Sequence, residues 1–147
     1  MQHTTYSYRQ GEKLVPSAVR AELVEILDGI KNNSQLKQAI TRELQLKGWA
    51  ARVRISPHSG VSINNLKDRI GLCFQINGNM SRFYADMLKL QYLCHEDKID
   101  AAVIILPTKE FAQDLNENIA NFDRFTSELS IFKKIITVPI WTLGIYP

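Results

Sequence analysis

Residues 69–91 hold the sharpest change of hydrophobic period in the chain. Ile70, Leu72, Phe74 and Ile76 alternate with Gly71, Cys73 and Gln75, the period-two pattern of a strand with one buried side. Asn77-Gly78 then supplies a turn, since glycine tolerates positive φ, and Asn79 is placed to cap a helix that starts near Met80 and runs to about Asp97. Met80, Phe83, Tyr84, Met87, Leu88 and Leu90 recur at helical spacing, while Arg82, Asp86 and Lys89 form a second stripe. Residues 101–106 are continuously apolar and closed by Pro107, as in a strand buried on both faces beside a parallel neighbour. Strand, helix and strand together predict a βαβ crossover.

The remaining elements follow from the same reading. Residues 1–14 are polar and are expected to form a flexible arm, leaving 15–147 as a single domain. Pro16 opens a helix whose buried face is Val19, Leu23, Ile26, Leu27 and Ile30, ending around residues 31–33. A second helix, capped by Ser34 or Asn33, buries Leu36, Ala39, Ile40 and Leu44 and stops at Gly48. Trp49, Ala51, Val53 and Ile55 alternate with Arg52 and Arg54, which predicts a half-exposed strand. A turn at residues 57–60 leads to a short strand at 61–64 that would pair with it as a hairpin. Helical segments are expected at 109–115 and about 119–132. A last strand is expected over 135–145, with Pro139 placing it near an edge or bulge.

Composition narrows the class without naming a function. A chain of 147 residues, 45% hydrophobic and 22% charged, supports one compact core. A net charge of +3 permits a polyanionic partner without requiring one. Cys73 and Cys94 fit neither a disulfide framework nor a metal-ligand spacing, so a reducing cytoplasm is the expected setting. The polar start lacks an apolar signal core, and no run reaches membrane-spanning length. Nucleophile elbow, P-loop, dinucleotide fingerprint and HExxH helix are all absent from the sequence.

Phe74-Gln-Ile-Asn-Gly-Asn79, the run from Arg82 through Phe-Tyr-Ala-Asp-Met-Leu-Lys-Leu to Gln91, Ile99-Asp-Ala-Ala-Val-Ile-Ile-Leu-Pro107, Asn118-Ile-Ala-Asn-Phe-Asp-Arg124 and Pro139-Ile-Trp-Thr-Leu-Gly144 are similar to restriction endonucleases of the BglII type. The resemblance covers residues 17–145 and implies an α/β fold of the PD-(D/E)XK nuclease class, a mixed central sheet flanked by helices. It also implies double-stranded DNA as partner, Mg²⁺ as cofactor, phosphodiester cleavage and a homodimer. In such nucleases an Asp and a Glu hold a hard cation that activates the attacking water and stabilises the leaving oxygen.

Matched position by position, the family's Asp falls on Asn64, its Glu on Cys73 and its Gln on Gln75. Only Gln75 keeps the family's residue type. A neutral amide and a soft thiol suit Mg²⁺ poorly, so no metal is expected at this set. Asp68, Asp86 and Glu43 are the carboxylates that remain to be considered. Arg52, Arg54, Asn79, Arg82 and Lys89 are candidates for contact with a phosphate backbone or another partner, weighed against plain solvation and helix-surface ion pairs. The sequence therefore favours a binding protein that has lost its nuclease centre, either an immunity protein neutralising a toxin or a non-cleaving DNA-binding domain. The competing expectation is an active Mg²⁺-dependent endonuclease.

Overall fold

The computed structural model of the chain describes residues 1–31, 34–116 and 118–147. Along the chain run β1 (Gln2–Tyr8), α1 (Gly11–Leu14), α2 (Ser17–Gly29), α3 (Leu36–Leu46), β2 (Ala50–Arg54), β3 (Ser62–Lys67), β4 (Ile70–Phe74), α4 (Met80–His95), β5 (Ala101–Pro107), α5 (Lys109–Leu115), α6 (Phe122–Glu128) and β6 (Ile140–Tyr146). One six-stranded sheet has the order β1-β6-β5-β4-β3-β2. The expected crossover is present, since β4 and β5 pair in parallel with α4 between them. β6 continues the parallel core, and antiparallel pairing adds β3 and β2 on one side and β1 on the other.

Strand alternation divides the core between the two faces of the sheet. Ile70, Leu72, Phe74, Val103, Ile105 and Trp141 pack against α2, α3 and Phe111 of α5. Cys73, Ala102, Ile104 and Ile140 face the opposite way, against Phe83, Met87 and Leu90 of α4 and Phe125 of α6. Phe83 and Phe125 meet edge to face with ring centroids 4.4 Å apart, which ties the two helices of that layer together. β4 and β5 are buried along their whole length, which is why the sequence of β5 shows no polar alternation.

Three sequence expectations are corrected. Residues 2–8 form the edge strand β1, paired along its length with β6, and Tyr8 Oη donates to the Ile136 carbonyl at 2.7 Å. A strand exposed on both sides shows no apolar alternation, so its polar sequence resembled an arm. The last strand begins only at Ile140 and lies inside the sheet, with Pro139 just outside it and accepting from Ala102 N at 2.8 Å. The helix expected over 119–132 is limited to Phe122–Glu128, and the Asn121 side chain caps it. Asn33, one of the two proposed caps of α3, lies outside the described residues, and the helix starts after Gln35.

Candidate DNA-binding cleft

Two irregularities shape the end of the sheet where the motif positions lie. The β3–β4 turn is tight, with Asp68 and Arg69 both at positive φ (49° and 61°), the conformation that matches the twist of a hairpin. Arg69 is anchored there by Asp100 and Asp97. At the other end the ladder fails. β3 pairs with β4 only from Asn65 onwards, and Arg52 and Asn64 are skipped in the β2–β3 pairing although their neighbours on both sides are matched.

The cause is Arg52, whose φ of 49° is left-handed inside a strand. Passing through it reverses which face the side chains meet. Trp49 joins the α2–α3 cluster while Val53 and Ile55 join the α4 cluster, so the single alternating face expected from Trp49 to Ile55 is broken. Asn64 repairs the gap chemically. Its Oδ1 accepts from Phe74 N at 3.2 Å, satisfying a backbone donor of β4 at the level where regular pairing with β3 has ended.

The other two motif positions stand on the α4 face of β4. Cys73 is fully buried, and desolvation, reinforced by the charge of Asp86, pushes its thiol far above the ordinary range. Gln75, half-buried, reaches α4 and donates Nε2 to Asp86 Oδ2. The carboxylate oxygen accepts, so the amide presents its NH₂ end. Asp86 is 4% exposed, and its second oxygen accepts from Lys89 Nζ at 2.8 Å. Gly78 has no positive φ, but a Cβ there would fall onto Gln75 Oε1, so the Gln75 amide would have to move.

Asn64, Gln75, Asp86 and Lys89 line one polar cleft of about 470 Å³, and Cys73 lies outside its lining. Its walls come from β2 and β3 through Arg52, Asn64 and Asn65, from β4 through Phe74 and Gln75, and from α4 through Asp86 and Lys89. Lys37, Thr41 and Gln45 of α3 close it from a side that sequence reasoning missed, although their i, i+4, i+8 spacing places them on one stripe. Arg52 and Lys89 are therefore brought together with Asn64 and Gln75. Arg54 and Arg82 are exposed outside the cleft lining, and the Asn79 side chain is used as the cap of α4, accepting from Arg82 N at 3.1 Å. Asp68 sits in the turn at the far end of β4, and Glu43 lines a different hollow with Lys47. Asp86 is the carboxylate that the fold delivers to Gln75.

The donor set does not fit a hard divalent cation. Asn64 Oδ1 serves the backbone, Cys73 is a buried protonated thiol, and both oxygens of Asp86 are taken by Gln75 and Lys89. Among the described residues, no group of three or more His, Cys, Asp or Glu side chains could hold a metal ion. Among the described residues, the cleft instead carries three cationic side chains, Lys37, Arg52 and Lys89, against one carboxylate.

This architecture is that of a restriction-endonuclease-like α/β protein. A family model described as restriction endonuclease BglII/BglIII matches residues 3–145, and the chain belongs to that family. Among solved structures it is similar to BglII complexed with a DNA 16-mer, with a TM-score of 0.87 and 16% identity over 98% of this chain and 76% of that one. It is also similar to free BglII, with a TM-score of 0.77 and 16% identity, over all of this chain and 80% of that chain. No curated protein sequence matches the chain. No helix among the described residues is long and apolar enough to cross a membrane.

Proposed function

We propose that this protein binds double-stranded DNA in the cleft between α3, the β2–β4 strand ends and α4, and does not cut it. The observation that carries the reading is the state of Asp86: among the described residues it is the carboxylate of the cleft lining, and it is buried and already held by Lys89 and Gln75, leaving cations to face the ligand. Phosphate contacts supply most of the affinity of DNA-binding proteins, and Lys37, Arg52 and Lys89 are of the right type to make them. The family and the DNA complex of the similar BglII structure support the same ligand.

The test is fluorescence anisotropy of a labelled duplex titrated with the protein between about 50 and 200 mM salt. Binding that weakens steeply with salt is expected, and salt-insensitive or absent binding would count against the proposal. A protein partner, such as the toxin of an immunity pair or a second copy of the chain, is the second reading. It is favoured by a separate apolar groove of about 220 Å³ between Tyr84, Met87 and Leu88 of α4 and Phe125, Leu129 and Phe132, with Leu88 and Ile135 exposed beside it. Binding through that face would be insensitive to salt and to charge changes in the cleft.

A further inference from the structure

We infer that Lys89 acts as a resident cation in this cleft, taking the place that a divalent ion holds in a metal-dependent nuclease, so that DNA is held without any metal. The inference rests on the DNA-binding reading and goes further, because it names the group that neutralises the phosphate and makes binding independent of Mg²⁺ or Ca²⁺. Three features converge on Lys89. Its ammonium lies 2.8 Å from Asp86 Oδ1, on a side chain 23% exposed and lining the cleft, whereas the Asp86 side chain is 6% exposed. Gln75, the one motif position to keep its residue type, fixes the other oxygen of the same carboxylate. Asn64 and Cys73, the positions that would carry the acids, hold a backbone N–H and a buried thiol.

The physical logic is one of charge balance. A buried carboxylate requires a cation, and a cation at its edge offers its remaining field and donors to the solvent side. An ammonium has three N–H donors. Asp86 takes one, which leaves two for phosphate oxygens entering the cleft. A divalent ion would have to expel Lys89 from Asp86 and then complete its shell with a thiol and committed amides, which hard cations do not favour. Lys89 is also fixed before DNA arrives, since Asp86 lies one helical turn before it and is held in turn by Gln75.

The experiment measures duplex affinity by anisotropy in EDTA and in Ca²⁺, for the native protein, Lys89→Gln, Asp86→Asn and the double variant Asp86→Asn/Lys89→Gln. Native affinity is expected to agree within about two-fold between EDTA and Ca²⁺, and the slope of log K against log salt is expected to fall by about 0.9 in Lys89→Gln, the share of one phosphate contact. Asp86→Asn keeps the ammonium and removes the carboxylate that balances it, so its slope is expected not to fall below the native one. The double variant leaves no unpaired buried charge and the cleft's net charge unchanged, so it reports the loss of the Lys89 contact as weaker binding at a fixed salt concentration even if Lys89→Gln alone fails to fold. Native binding abolished by EDTA, a native slope in Lys89→Gln, or native affinity in the double variant would overturn the resident-cation assignment while leaving DNA binding intact. Absence of native binding in both buffers would instead remove the DNA reading and this inference with it.

Discussion

Cys73 is sealed under α4, fully buried, and its thiol is held protonated by desolvation first and by the nearby Asp86 charge second. A thiol reagent should therefore label the partly exposed Cys94 in the native protein and reach Cys73 only on unfolding, as peptide mapping of the labelled protein would read out. The pH dependence has a definite sign. Unfolded Cys73 loses its proton above the ordinary thiol value of 9.0 while the folded protein keeps it, so the stabilising effect is whole below that pH and declines as pH rises above it. Denaturant unfolding across that range should show the decline, and Cys73→Ala should flatten it. Gly78→Ala is a second check at this scale. Its methyl would displace the Gln75 amide from Asp86, with an expected loss of about 1–3 kcal/mol by denaturant unfolding. Asn64, Cys73 and Gln75 were picked out in the sequence by matching the family resemblance position by position. Their partners were not: Gln75, Asp86 and Lys89 meet across a strand and a helix, and Asn64 serves a backbone donor, facts set by packing rather than by local pattern.

At the scale of elements, α4 and the parallel pair β4 and β5 were readable because strong period and punctuation coincide. Met80 starts the helix directly after the Asn79 cap, as the residue types imply. Asn79→Ala should cost about 1 kcal/mol of unfolding free energy, the usual value of an N-cap, measured by urea unfolding. The β2–β3 hairpin was readable only in outline. Nothing in Ala-Arg-Val-Arg announces a left-handed residue, yet Arg52 at φ 49° reverses the strand's faces and carries a cation to the cleft. A non-glycine residue held there costs of order 1–3 kcal/mol. Arg52→Gly relieves that strain, so it should leave stability undiminished while weakening duplex binding, a separation read by pairing thermal unfolding with anisotropy. If stability and affinity fell together, Arg52 would be a structural residue and not a contact.

At the scale of the whole molecule, the sheet is covered on both faces and its order places the cleft where the antiparallel strands β2 and β3 meet the parallel strand β4. The fold class was visible in the sequence through the crossover and through family resemblance, but the edge was not. β1 is exposed along most of its length and offers no periodic signal, so only its pairing with β6 reveals it. Removing residues 1–8 should therefore lower the melting temperature markedly and promote aggregation through the uncovered edge of β6, whereas a dispensable arm would change neither.

The proposed function rests on a restriction-endonuclease fold in which the cleft carboxylate Asp86 is committed to a lysine. Incubation of supercoiled plasmid with the native protein in Mg²⁺ or Mn²⁺ tests this most directly. The DNA is expected to remain intact; nicked or linear product that disappears on adding a chelator would contradict the account and assign a metal-dependent centre to the cleft.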